Sequence, residues 1–376
     1  MLIKFHRYLL IGLLLSGCHT SIHSPQLIWE ERYDLPAIDG QAHPGLAGAM
    51  SGILSSKLVI AGGANFPIAP PWENGKKVFH DQVYIYDIQK DSINKLKQHH
   101  IANLPSYSAN ISLDTAIISA GGERENGAIR SVFAYHWDNQ HDQLTQSKLA
   151  DLPVALTAGS LAQVDRDLYF IGGENGQLVS DKIYRLDGDA PEDGWQEFLT
   201  LPHALSHAVA LSDQQGHLFI LGGRCRHADA PSTIYKQAFR VNVRTQNIQS
   251  LPDLPHPLAA GTGVYVNGSL WMFGGDDGKT FNRIEQLMID IDACTDPDEK
   301  QELIEEKNNL QATHTGFQKS CWVLALPAGQ WQQTTPFPEP APVTTTALQW
   351  GERILIPSGE VRPGVRTRHI FTGRIQ

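Results

Sequence analysis

Near the C-terminus, Gly359-Glu360-Val361-Arg362-Pro363-Gly364-Val365-Arg366-Thr367-Arg368 sets one carboxylate and three guanidiniums on a short loop. Pro363 stiffens that loop and Gly364 turns it. A guanidinium offers a planar fork of N–H donors, the natural clamp for a carboxylate ligand. A carboxylate beside it, Glu360, has the type and place of a proton shuttle. The same spacing also describes an ordinary salt-bridged turn, so the segment by itself leaves both readings open. Charged residues recur in a comparable setting elsewhere. Glu123, Glu174, Arg224, Asp276 and Glu360 each directly follow a glycine that closes an apolar run. Such residues either converge on a common site or pair off with one another.

The elements that carry them repeat. LVIAGG, AIISAGG, LYFIGG, LFILGG and LWMFGG end at Gly63, Gly122, Gly173, Gly223 and Gly275, a period of about 50 residues. A four-stranded sheet with its turns consumes that length, which is the period of kelch-type propeller blades. Each unit adds an alternating strand, such as Val83-Tyr84-Ile85-Tyr86, then a polar outer strand. Leu-Pro steps (Leu104-Pro105, Leu152-Pro153, Leu201-Pro202, Leu254-Pro255) lead into the next unit, since proline cannot donate to a ladder. A sixth unit begins at 343–350, and there Ser358-Gly359 replaces the double glycine. Its third strand is expected at 367–372, and no outer strand follows before Gln376. The missing strand is expected at the other end, from Gln26 to Pro36, so that head and tail share a blade and no edge is left open. The expected fold is an all-β, six-bladed kelch-type β-propeller over 26–376 as a single domain. One helical insertion is expected in blade five, at about 283–313, with Asp296 as N-cap and Pro297 in the first helical position.

In such a ring, sites form where loops of several blades meet the central channel. The 41% hydrophobic and 19% charged composition, with 33 glycines and 22 prolines, suits a large soluble all-β domain. A formal net charge of −10 argues against nucleic acid or an anionic bilayer surface as partner. Residues 1–17 read as an export leader, with Lys4 and Arg7 before an apolar core too short to span a bilayer. Leu15-Ser16-Gly17-Cys18 resembles a bacterial lipobox, so Cys18 is the expected lipidation site and 18–25 a tether. The expected location is periplasmic and lipid-anchored, at the outer membrane where the host has one. Cys294 and Cys321 bracket the helical insertion and form a possible disulfide in an oxidising compartment; the alternative is that they stay free thiols. No cysteine pair has the short spacing of a zinc site.

The segment GEVRPGVRT resembles the G-E-x-x-P-G-x-R-T stretch of the bacterial N-acetylneuraminate epimerases, or sialic acid mutarotases, which are six-bladed kelch propellers. A second block, Gly45-Leu46-Ala47-Gly48-Ala49-Met50-Ser51-Gly52-Ile53 with Leu58-Val59-Ile60-Ala61-Gly62-Gly63-Ala64-Asn65-Phe66, is similar to that family's G-V-A-G-x-F-A-G-x … L-x-x-A-G-G-A-x-F. The order of the blocks is reversed relative to better-known members and resembles a cyclically permuted branch. Cutting a closed ring at another blade leaves the site intact, because the termini are neighbours. The resemblance implies interconversion of the α and β anomers of N-acetylneuraminic acid, with no metal or organic cofactor. It carries over to Glu360 and Arg366, the first as base for ring opening and the second holding the sugar carboxylate. Asn65, Arg124, Glu174 and Arg224 are weaker substrate-binding candidates, each also explicable as structural. Trp72 and Lys77 lie in a long loop that can fold over the channel, while His80 and His207 read as packing residues. The alternative function is a non-catalytic kelch ring that binds sugar or serves as an interaction scaffold. A sialidase is disfavoured by the absence of repeated Ser-x-Asp-x-Gly-x-x-Trp boxes.

Overall fold

Each apolar run ending in two glycines is the second strand of a four-stranded antiparallel blade. The computed structural model describes residues 26–89, 92–327 and 329–376. The expected leader, tether and lipidated Cys18 lie outside them. Blade one is typical, with Met50–Leu54, Lys57–Ala61, Gln82–Gln89 and Ser92–His100 in order from the axis outwards. The second strands, such as Lys57–Ala61, Ile117–Ala120 and Ser269–Phe273, are buried almost throughout. They are covered on both faces by neighbouring blades, which is why their sequences are continuous apolar runs rather than alternations. Six cores fill the six spaces between blades.

The ring closes as expected. Leu27–Trp29 and Tyr33–Asp34 both pair antiparallel with the last strand, His369–Ile375. Leu27 is fully buried against Phe273, Phe337 and Phe371 in the core between blades five and six. Polar contacts pin the same seam: Glu30 pairs with Arg353 and Arg374, and Asp34 pairs with Arg368 and contacts the His369 ring. The third strand of blade six runs later than the expected 367–372. The first is shorter, Leu348–Trp350, because Val343 instead bridges to Glu360.

The double glycines weld one blade to the next. Gly122, Gly173 and Gly223 donate their N–H to the carbonyls of Leu156, Leu205 and Leu258 in the following blade, at 2.8, 2.9 and 2.8 Å. The preceding glycine takes a left-handed conformation, and a Cβ on Gly172 would lie 2.2 Å from the Leu205 oxygen. At the seam Ser358 adopts the same left-handed φ of 56°. Its hydroxyl accepts from the Leu46 N–H at 2.8 Å and donates to the Thr367 carbonyl at 2.6 Å. That bonding explains why serine stands there and not a second glycine.

Six residues, one ahead of the first strand of each blade, encircle the axis. Gly48, Tyr107, Ala158, His207, Ala260 and Thr344 all have φ between 51 and 63°. Each donates its N–H to the carbonyl of the one before, at 2.7–3.1 Å, and Gly48 completes the circle on Thr344. Left-handed backbone at non-glycine residues costs roughly 1–2 kcal/mol each, and the closed set of hydrogen bonds holds it in place. A Cβ on Gly48 would meet the Tyr107 ring at 2.6 Å, so that member must be glycine.

The helical insertion is a pair of helices, α1 (Lys279–Ala293) and α2 (Pro297–Ala312), and begins earlier than the expected 283. Thr280-Phe281 gives little helical signal on propensity. The start is imposed by Gly278 in a left-handed conformation and by Asp276 and Asp277, whose carboxylates accept the N–H of Gly278 and Lys279. Asp296 caps α2 as expected, accepting from the N–H of Asp298 and Glu299. The possible Cys294–Cys321 disulfide is not formed; both thiols are free. Cys321 lies opposite Phe273 at the buried start of a strand. Cys294 instead sits at the far end of the 15-residue α1, where its thiol donates to the Asp296 carbonyl at 3.3 Å.

Candidate functional site

In most blades the glycine exit is followed by a small hairpin: Ala64–Asn65 with Val78–Phe79, Glu123–Arg124 with Gly127–Ala128, Arg224–Cys225 with Thr233–Ile234, and Glu360–Arg362 with Val365–Arg366. In blade five the helical pair takes that place. The first residue after the glycines, Ala64, Glu123, Glu174, Arg224, Asp276 or Glu360, bridges back to the residue just ahead of the axial circle. The repeat thus delivers all five charged residues to one cavity of about 510 Å³. Its floor includes Tyr107, Ala158, His207, Ala260 and Thr344 of the circle, and α1 adds an apolar wall of Phe281, Ile284 and Met288.

Glu360 and Arg366 stand opposite each other in the last hairpin, so their side chains share a face. The Pro363-Gly364 turn directs the Gly364 N–H onto Glu360 Oε1 at 2.7 Å. Burial pushes the Glu360 carboxyl above its ordinary range, against the opposing pull of Arg366 and the Gly364 N–H. Arg366 Nη2 lies 3.6 Å from Glu360 Oε2, and its side chain is only 4% exposed. The guanidinium stacks over the Phe66 ring at 4.7 Å and lies against the Tyr107 phenol. Its Nε and Nη1 have no hydrogen-bond partner among the described residues. A buried cation with idle donors in a cavity wall is a receptor for an anion.

The other two arginines of the segment are used elsewhere. Arg362 lies over the Trp72 ring and donates to the Ala312 carbonyl at 2.9 Å, tying loop and α2 together. Arg368 pairs with Asp34 at the seam. The loop carrying Pro71–Glu73 packs on the Pro363-Gly364 turn so closely that a Cβ on Gly364 would lie 2.3 Å from Pro71. Trp72 and Lys77 thus belong to a flap over the site, as expected. Lys77 also reaches Glu123 at 2.6 Å.

Of the weaker candidates, Glu174 and Arg224 line the cavity, joined to each other at 2.7 Å, with Glu285 of α1 at 3.9 Å from Arg224. Asn65 does not line it: its buried amide bridges the Gly45 carbonyl and His80. Arg124 points away and donates to the Asn103 carbonyl. Both corrections follow from hairpin alternation, since the neighbour of a channel-facing residue turns to the opposite side.

His80 packs as expected, whereas His207, read as packing, faces the cavity. Its tautomer follows from its neighbours. Burial raises the Glu174 carboxyl, but His207, Arg224 and the Ser206 hydroxyl together outweigh this and keep it below its ordinary range. An ionised carboxylate only accepts, so Ser206 Oγ gives its proton to Glu174 Oε2 at 2.8 Å. The Ser206 oxygen must then accept from His207 Nδ1 at 3.0 Å, leaving Nε2 with a free lone pair. Burial first, then Arg224, pushes the His207 imidazole down to about 4, so it stays neutral. Tyr107, and the cavity position of His207, escaped the sequence reading because both residues precede their blade's first strand. Aligning the units would have set them beside Ala158 and Ala260 and shown two bulky groups at a position otherwise small. No group of three or more His, Cys, Asp or Glu able to hold a metal occurs among the described residues.

The sequence pattern of the N-acetylneuraminate epimerase family matches residues 16–144 and 149–376. The chain belongs to that family. N-acetylneuraminate epimerase of Haemophilus influenzae (strain 86-028NP) is 23% identical over 225 residues, which is 60% of this chain and 58% of the relative. That of Yersinia enterocolitica serotype O:8 is 28% identical over 235 residues, 60% of this chain and 57% of the relative. That of Vibrio vulnificus (strain YJ016) is 36% identical over a shorter stretch of 102 residues, 26% of this chain and 27% of the relative. The chain thus spans under two thirds of the curated epimerases it matches. The solved structure of YjhT superposes with a TM-score of 0.60 at 13% identity, over 92% of this chain and 99% of its own, and shares the propeller fold.

Proposed function

We propose that the protein is a mutarotase that interconverts the α and β anomers of N-acetylneuraminic acid. The observation that carries this reading is the buried, under-bonded Arg366 guanidinium beside the buried Glu360 carboxyl. A 2-keto sugar acid carries its carboxylate on the anomeric carbon. An arginine gripping that group therefore sets the anomeric hydroxyl next to its neighbour, which is Glu360. Burial lifts Glu360 towards neutral pH, where a carboxylate is a better-matched base. Glu360 takes the anomeric hydroxyl proton, the bond to the ring oxygen opens, and the open-chain ketone rotates and recloses on its other face. The apolar wall of Phe281, Ile284 and Met288 suits an acyl methyl. Family membership supports the reading, and the curated relatives carry the epimerase name.

Proton NMR of freshly released α-N-acetylneuraminate tests it. Catalytic amounts of protein should speed the appearance of the β anomer. An unchanged rate together with measurable binding would instead favour a sugar-binding scaffold. The leader supports a second, separate proposal: the protein is exported and anchored through a lipid on Cys18. Fatty-acid labelling in cells should then vanish in a Cys18→Ala variant, and persistent labelling would refute it.

A further inference from the structure

Ring opening needs a second group, one that gives a proton to the ring oxygen as the carbon–oxygen bond breaks. The cavity holds four carboxylates at equivalent positions: Glu123, Glu174, Asp276 and Glu360. Lys77 neutralises Glu123, Arg224 neutralises Glu174, and Arg366 faces Glu360. Asp276 makes no ion pair among the described residues; its carboxylate accepts the Gly278 N–H at 2.9 Å through Oδ1. It sits in blade five, next around the ring to Glu360 in blade six, and each bridges to the strand lead of its own blade. The two carboxyls thus line adjacent sectors of one wall, one beside a cation and one without.

We infer that Asp276 is the general acid of the site, the protonated partner of Glu360. This rests on the mutarotase reading and adds the group that reading lacked. Placement explains the division of labour. Arg366 favours the ionised form of its neighbour Glu360 across 3.6 Å, whereas Asp276 has no ion-pair partner among the described residues. Burial raises the Asp276 carboxyl, Asp277 adds to this, and the Gly278 N–H, His314 and Arg224 oppose it. Burial also holds His314 below its ordinary value, which favours its neutral form. Asp276 is also among the influences that raise the Glu360 carboxyl, so the two groups are electrostatically linked.

The step balances. Glu360 accepts the anomeric hydroxyl proton, and the freed electron pair becomes the second carbonyl bond. The carbon–oxygen bond of the ring breaks with its pair on oxygen, and that oxygen takes the Asp276 proton. After rotation the new hydroxyl attacks the other carbonyl face and returns its proton to Asp276. The carbonyl oxygen recovers the one on Glu360. No other reactant is consumed.

Asp276→Asn is the discriminating variant, because asparagine keeps an oxygen for the Gly278 N–H while losing the transferable proton. With α-N-acetylneuraminate as substrate, kcat should fall about a hundredfold or more with KM within a few-fold. The alkaline limb of the pH–rate profile, which reports loss of the acid's proton, should disappear. Asp276→Glu, which restores an acid at a shifted position, should recover part of the rate. If Asp276→Asn keeps more than half the wild-type kcat, or changes only KM, Asp276 is not the acid. If the wild-type protein itself does not accelerate mutarotation, the functional reading fails first, and the two failures are told apart by that control.

Discussion

Replacing Glu360 by glutamine tests the base while keeping the shape of the side chain. Glutamine keeps an Oε1 to accept the Gly364 N–H that lies 2.7 Å away. The charge pair with Arg366 at 3.6 Å is lost and the buried guanidinium is left without it, a change that costs about 3–5 kcal/mol where a buried pair is broken from one side. The fold should therefore weaken by up to about that amount, while the rate loses general-base catalysis of about 10²–10⁴-fold. That factor corresponds to about 3–5 kcal/mol of barrier. Glu360→Asp should fall between, since withdrawing the carboxyl by one methylene misplaces it by over 1 Å. The assay is the NMR time course corrected for the spontaneous reaction. A Glu360→Gln protein within twofold of wild type would refute the base assignment. Stability supplies an independent check. Folding raises the Glu360 carboxyl, so its favourable contribution is complete below the unfolded glutamate range and is lost as pH rises through the folded value. Relative to wild type, the glutamine variant should thus gain stability from acid to neutral pH. A relative loss over that window would contradict the burial argument.

Other expectations are quicker to test. Arg366→Lys keeps a charge but loses the fork, so KM should rise about 10–100-fold with a smaller change in kcat; the reverse pattern would count against carboxylate clamping. Leu27→Ala opens a void in the core that joins the chain ends and should cost about 2–5 kcal/mol in denaturant titration, while a loss under 1 kcal/mol would mean the head strand is dispensable. Thiol reductant should leave the melting temperature unchanged, because Cys294 and Cys321 are unpaired. A fall of several degrees would contradict that.

What the sequence disclosed followed from periodicity. Strands covered on both faces must be continuously apolar, so the blade count and the shared sixth blade were legible from the runs before Gly63, Gly122 and their counterparts. The same period placed Glu123, Glu174, Arg224, Asp276 and Glu360 at one mouth. Identity one residue further on was not legible. Asn65 and Arg124 adjoin channel positions, but a strand turns alternate side chains to opposite faces, and no composition signal marks which is inward. The early start of α1 was hidden because carboxylate and glycine geometry at Asp276, Asp277 and Gly278 overrides the weak propensity of Thr280 and Phe281. Which of three arginines is idle depended on contacts with Asp34, Trp72 and Ala312, far away in sequence.

The axial circle takes one residue from every blade, so the floor of the cavity is a continuous belt of backbone shared by all six. On the proposed mutarotase reading, a site so built imposes no direction: a catalyst only hastens equilibrium between two configurations at one carbon, and whichever process draws on one of them determines the net flow.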